Sequence, residues 1–304
     1  MGGVSSGAPL GYTRLVRLRP MQEESTVMRR RFRSRLVAML VLVAIAPFAG
    51  ANEKAEPDPA KSEHWEPIRK MVFGDREILD GRDVIRVYLA LRAADAATVP
   101  VAVKAQIDQT PERYIQRIFL IVERNPSPTA GVFHFTPDSG RAQVETRLRF
   151  EDFSHVRAVA ETSDGKLYMD SRWVKAAGGC SAPSGKFAVP AALMGKMKFR
   201  FDDAVKFHEP NLVQVNIRHP NESGLATDFD ASRVPQFVRS VAVTYDGKPV
   251  MSAEVDFSLS DNPTFRFWFV PRRAGDLRVE VEDTHDQRYV QTVPIKEGTV
   301  LTGG

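Results

Sequence analysis

From Val84 to Ile295 the chain is written in short runs rich in β-branched and aromatic residues, cut at close intervals by Asp, Gly, Asn and Pro. Runs of this length and composition predict strands, and their spacing leaves no room for long helices between them. The first half offers Val84–Leu91, Val99–Ala105, Ile115–Glu123, Gly131–Thr136, Ala142–Phe150, His155–Thr162 and Leu167–Val174. The second half offers Lys196–Phe201, Leu212–Ile217, Val238–Tyr245, Val250–Phe257, Thr264–Val270, Leu277–Glu282 and Arg288–Ile295. Val99-Pro100-Val101-Ala102-Val103 and Arg147-Leu148-Arg149-Phe150 alternate with period two, as a sheet with one wet face requires. Ser163-Asp164-Gly165-Lys166 and Tyr245-Asp246-Gly247-Lys248 predict tight hairpins, because Asp-Gly tolerates positive φ. The expected class is all-β, with two Ig-like sandwiches in tandem.

Weak internal similarity supports two related domains. Arg157, Glu161, Tyr168 and Lys175 match Arg278, Glu282, Tyr289 and Lys296 without a gap. Asn125-Pro126 ahead of Phe133-His134-Phe135-Thr136-Pro137 matches Asn262-Pro263 ahead of Phe267-Trp268-Phe269-Val270-Pro271. The one helix is expected between Ser62 and Phe73, with Ser62 as N-cap and Trp65, Ile68, Met71 and Val72 on one face. The organisation read from the chain is a leader over 1–51, a disordered lead-in over 52–61, a first sandwich over 62–177, a linking arm over 178–192, a second sandwich over 193–296 and a tail over 297–304.

The leader predicts the compartment. Met28-Arg29-Arg30-Arg31-Phe32-Arg33-Ser34-Arg35 is basic, Leu36 to Phe48 is almost wholly apolar, and Ala49-Gly50-Ala51 reads as a small-x-small cleavage site. Met28 is a candidate true start. The apolar run is short for a membrane span, so the expectation is a periplasmic protein exported by the Sec or the twin-arginine route, with no span in its mature part. The same region holds the basic excess. Residues 1–51 carry eight arginines against two glutamates, +6, while the whole chain is +4, which leaves the mature part at −2. A chain without cationic excess has nothing to neutralise phosphates, which argues against nucleic acid as partner.

Cys180 is the single cysteine, within Gly178-Gly179-Cys180-Ser181-Ala182-Pro183. An exported chain cannot spend one cysteine on an internal disulfide. Two readings stand: a functional thiol, or a buried small hydrophobe. The surrounding Ala-Ala-Gly-Gly-Cys-Ser-Ala-Pro-Ser-Gly has no periodic apolar face, which favours a thiol on an exposed, mobile arm spanning residues 178–186. Gly178, Gly179 and Ser181 would give that arm its freedom. Lys175 and Lys186 flank it as candidate stabilisers of a thiolate.

Other constellations lack the spacing that chemistry requires. The six histidines, His64, His134, His155, His208, His219 and His285, do not pair at metal-ligand intervals. Ser223-Gly224 lacks a nucleophile elbow, and Asp228 and Asp230 lack the glycine and closing Glu of an EF-hand.

The first half resembles the sulfur-carrier subunit SoxY through Asn125-Pro126-x-Pro128, Glu145-Thr146-Arg147, His155 to Val159, Thr162 to Tyr168 and Gly178-Gly179-Cys180. The second resembles its partner SoxZ through His219-Pro220-x-Glu222-x-Gly224, Phe237-Val238, Val241-x-Val243, Asp246-Gly247-Lys248, Asn262-Pro263 and Phe265-x-Phe267. Taken together the chain is similar to the fused SoxYZ-like carriers associated with quinoprotein dehydrogenases. The resemblance implies a carrier and not an enzyme, with no cofactor beyond a covalent sulfur-containing adduct on Cys180, as in thiosulfate oxidation. It implies periplasmic redox partners, whether Sox-type enzymes, a quinoprotein dehydrogenase or a c-type cytochrome. The family's Gly-Gly-Cys-Gly-Gly tail is altered here to Ser181 and Ala182, and the arm is tied at both ends. A non-covalent adapter with Cys180 incidental is the alternative; a thiol-dependent enzyme would need a base beside the thiol.

Overall fold

The period-two alternation becomes two stacked sheets whose inward residues fill one core. A computed structural model describes residues 56–183, 189–226 and 234–302, which belong to one compact unit. The leader and the start of the lead-in lie outside the described residues. The larger sheet runs in the order β1 (Ile78–Asp80), β8 (Leu167–Val174), β7 (Ser154–Thr162), β4 (Ile115–Val122), β5 (Thr129–Phe135), β12 (Lys248–Val255), β11 (Val238–Tyr245), β14 (Gly275–Asp283) and β15 (Arg288–Ile295). The smaller runs in the order β2 (Ile85–Tyr88), β3 (Val99–Ala105), β6 (Gln143–Leu148), β13 (Thr264–Phe269), β10 (Asn211–Ile217) and β9 (Met197–Phe201). All fourteen expected strands are present. The addition is β1, which pairs in parallel with β8 through Ile78↔Leu167.

The two sandwiches do not merely touch. Each sheet crosses from one to the other. In the larger sheet β5 pairs with β12, from Met251↔Phe135 to Val255↔Gly131. In the smaller sheet Arg266 faces Glu145, and the Arg266 guanidinium reaches that carboxylate at 2.6 Å. Strand order reverses at the seam, so that β5 meets its counterpart β12 and β6 meets its counterpart β13. Buried apolar residues of both halves form one continuous cluster. Phe133 of the first half meets Phe265 of the second edge-on, with ring centroids 6.4 Å apart.

The repeat has a structural basis in one of its two parts. Ala160↔Tyr168 in β7–β8 has the same register as Val281↔Tyr289 in β14–β15. The other part does not correspond. Asn125-Pro126 lies between β4 and β5, whereas Asn262-Pro263 lies between β12 and β13, in a different connection of the second domain. The Asp-Gly turns form as expected. Asp246 and Gly247 both take positive φ, 49° and 78°, which the Tyr245↔Lys248 hairpin needs.

The helix α1 spans Trp65–Phe73 on the outer face of the larger sheet. Trp65, Ile68 and Phe73 pack there with Phe119, Ile121, Val159 and Leu167. Met71, expected on that face, is 70% exposed. At roughly 100° per residue it falls about 120° from Trp65, outside the buried stripe that Phe73 completes. His64, and not Ser62, holds the N-cap position. Ser62 instead donates its hydroxyl to the Glu123 carboxylate. Because α1 and its lead-in cover one face and the smaller sheet the other, every residue of β7 is buried. Among the described residues no helix is long and apolar enough to cross a membrane.

Candidate functional site

The polypeptide leaving β8 does not swing free. Lys175 donates its N–H to the Leu91 carbonyl at 2.7 Å. Gly178 and Gly179 then lay their N–H groups on the carbonyls of Glu151 and Phe150, at 2.8 and 2.7 Å. The next two residues are held by the Glu151 side chain. Its Oε2 accepts the N–H of Cys180 and of Ser181, both at 3.1 Å, and its Oε1 accepts the Ser181 hydroxyl at 3.0 Å. From the second domain, Ser223 donates its hydroxyl to the Cys180 carbonyl at 3.0 Å. Residues 178–183 are thus a docked strap at the junction of both domains.

Against the exposed arm expected over 178–186, Gly179 and Cys180 are buried, while Gly178 and Pro183 are exposed; residues 184–186, with Lys186, lie outside the described residues. Cys180 is 0% exposed. Gly178 keeps φ at +77°, a turn disfavoured for residues with a Cβ. Gly179 packs so closely that a Cβ there would stand 2.1 Å from the Ala96 carbonyl oxygen. Ser181 is fixed by Glu151. In this docked state Gly178 supplies the positive-φ turn, Gly179 the close packing and Ser181 the bond to Glu151.

Burial pushes the Cys180 thiol up to about 12, with the Glu151 and Asp256 carboxylates adding to the rise and Arg149 opposing it. Among the described residues, a cation that favours the thiolate is Arg149. Its guanidinium is paired with Asp261. In this state the sulfur is a neutral thiol, the unreactive form.

Asn125 builds the platform beneath the strap. Its side-chain oxygen accepts the Glu151 N–H at 3.0 Å, and its Nδ2 donates to the Arg149 carbonyl at 2.8 Å and to the Ser258 hydroxyl at 3.1 Å. Asn125-Pro126 was legible as a motif, but Glu151, Arg149 and Ser258 carry no local signal. Nearby, His219 is fully buried and structural. Its Nδ1 accepts the Asn221 N–H at 3.0 Å, which leaves Nε2 to donate to Asp283 at 3.2 Å. Burial lowers its pKa, against the pull of Asp283. Asp228 and Asp230 lie outside the described residues.

Residues 69–180 match the family described as Sulfur oxidation protein SoxY, a match that ends on Cys180. Residues 198–294 match Sulphur oxidation protein SoxZ. The chain is a fused SoxYZ-like protein. The SoxYZ proteins are carriers of sulfur oxidation and not catalysts. Among solved structures, the sulfur carrier protein SoxY from Chlorobium limicola f thiosulfatophilum is 26% identical, over 36% of this chain and 88% of its own, with a TM-score of 0.31. The Clostridium thermocellum CbhA fibronectin(III)-like modules are 10% identical, over 70% of this chain and 94% of theirs, with a TM-score of 0.20. Those superpositions are poor, and membership of the SoxYZ-like family rests on the two sequence matches. No curated protein matches the chain.

Proposed function

We propose that this SoxYZ-like protein is a periplasmic carrier that holds a sulfur-containing intermediate covalently on Cys180 and presents it to redox enzymes. The observation that carries this reading is the place of the single thiol. It sits where the SoxY match ends, on a strap held by Glu151 of the first domain and Ser223 of the second. Fusion keeps both domains beside the docked sulfur. Joining thiosulfate to a cysteine thiolate forms a sulfur–sulfur bond and releases two electrons, for which a c-type cytochrome is a chemically suitable acceptor. A quinoprotein dehydrogenase system and Sox-type enzymes are the partner classes the resemblance favours.

The test is intact mass of the protein isolated from its own periplasm. A reductant-labile adduct that maps to Cys180 supports carriage. A bare thiol during active sulfur metabolism ends it. A second reading has one specific observation in its favour. A fully buried thiol held near pKa 12 suits an adapter that docks its partners through sheet faces, with Cys180 structural. Complementation of a deletion strain by Cys180→Ser, with a normal melt as folding control, would establish the adapter.

A further inference from the structure

We propose that Glu151 is the positioning residue of Cys180, a latch that keeps the 178–183 strap docked and the sulfur out of reach until its bonds are exchanged. Its biological use rests on the carrier reading above, whereas the docking equilibrium itself can be followed with any thiol reagent.

Among the described residues the strap donates five hydrogen bonds over Gly178–Ser181, and Glu151 accepts four of them. One goes to its backbone carbonyl and three to its carboxylate. Only the Gly179 bond goes elsewhere, to Phe150. Bonds to an ionised acceptor are shorter and about twice as strong as neutral ones. The strap brings little apolar surface to replace them, since Cys180 is its one fully buried side chain. Polar contacts to one residue therefore dominate the docking.

The position of that residue matters as much as the bonds. Glu151 is half-buried while Cys180 beneath it has no exposure. An incoming protein can reach the carboxylate before it can reach the sulfur. Asn125 holds the Glu151 backbone in place, so release of the strap need not disturb β6 or β7. Glu151 also adds to the upward push on the thiol. Undocking removes both the steric cover and the neighbouring negative charge, and returns the thiol toward the ordinary range near 8.5.

The experiment is alkylation of the intact protein by iodoacetamide, read by mass, between pH 7 and 9. With one cysteine the signal has one source. Wild type should react far more slowly than a free thiol. Glu151→Ala should accelerate alkylation on the order of ten- to a hundred-fold, the equilibrium shift expected from losing one or two charge-assisted bonds. Glu151→Gln, which keeps the volume and one acceptor but not the charge, should fall between, and it serves where Glu151→Ala fails to fold. Glu151→Asp should restore part of the protection. Hydrogen exchange separates a latch from general weakening. In Glu151→Ala the Gly178 and Gly179 amides should lose protection while amides of β7 and β8 keep theirs. Wild-type alkylation rates in folded Glu151→Gln and Glu151→Ala would overturn the proposal. So would a wild-type Cys180 that reacts as fast as a free thiol. Absence of any adduct on Cys180 in the periplasm would end the carrier reading and leave these rates unchanged.

Discussion

Gly179 and Ala96 lie in direct backbone contact, so that the Cβ of any side chain at 179 would stand 2.1 Å from the Ala96 carbonyl oxygen, well inside van der Waals contact distance. Ala96 in turn accepts the Phe150 N–H at 2.9 Å, and backbone of this kind has little room to shift. Gly179→Ala should therefore lift the strap, at the roughly 1–3 kcal/mol cost usual for overpacking. Gly178→Ala meets nothing within 4 Å and pays only the strain of φ +77°, about 1–2 kcal/mol. Alkylation of Cys180 should rise more in Gly179→Ala than in Gly178→Ala. The reverse order would mean the strap is not seated as described.

The thiol should not titrate where free cysteines do. Docking holds the neutral form, with burial first among the causes and a value near 12. A pKa raised in the folded state contributes stability that is full below the free thiol's value of about 8.5 and is lost as pH rises towards 12. Thiolate absorbance near 240 nm, corrected with Cys180→Ser, should show no midpoint near pH 8.5 in the wild type. A midpoint there would contradict the buried resting state.

The two domains should melt as one. Phe133 is fully buried, and its ring meets Phe265 of the other domain within a shared core. Calorimetry should give a single transition. Phe133→Ala should cost about 3–5 kcal/mol and shift that transition whole. Two resolved transitions would show that the seam is not cooperative.

Arg157 should prove the anchor of the segment ahead of α1. It is fully buried, pairs with Glu123, donates to the Pro59 carbonyl at 2.6 Å and stacks on Trp65 with its guanidinium 4.3 Å from the ring centroid. Removing one partner of a buried pair costs about 3–5 kcal/mol, because the other charge is stranded. Arg157→Ala should lower stability by that order and expose residues 57–62 to protease before the sheets. A stable variant with that segment still protected would refute the assignment.

Acid should weaken the loop that carries Ser223. His219 has a lowered pKa, mainly from burial, so the unfolded chain takes the proton first. Stability is full above about pH 6.5 and falls as pH drops below it. His219→Gln should flatten the change in Tm between pH 7.5 and 5.5, and an unchanged slope would place the titrating group elsewhere.

The strands were legible because each is set by its own composition. Leu167–Val174, Val238–Tyr245 and Arg288–Ile295 have the bounds their residues predict. β1 was not legible, because Ile78-Leu79-Asp80 is too short to carry a pattern and exists only through β8. The Asn-Pro part of the repeat misled for a related reason. Two residues that start a turn say nothing about which turn of the fold they start.

The sequence by itself determined the strands, the hairpin turns, the single helix near the start of the first sandwich and the presence of one thiol next to two glycines. These follow from alternation, turn chemistry and counting, all of which act over a few neighbouring residues. Only the tertiary structure decided that Gly179 is closely packed, that Gly178 makes a positive-φ turn and that the thiol is covered. Ala96, Glu151 and Ser223 are far from Cys180 along the chain, and burial is a sum over such distant neighbours. A ten-residue stretch without an apolar period looks exposed until other segments close over it.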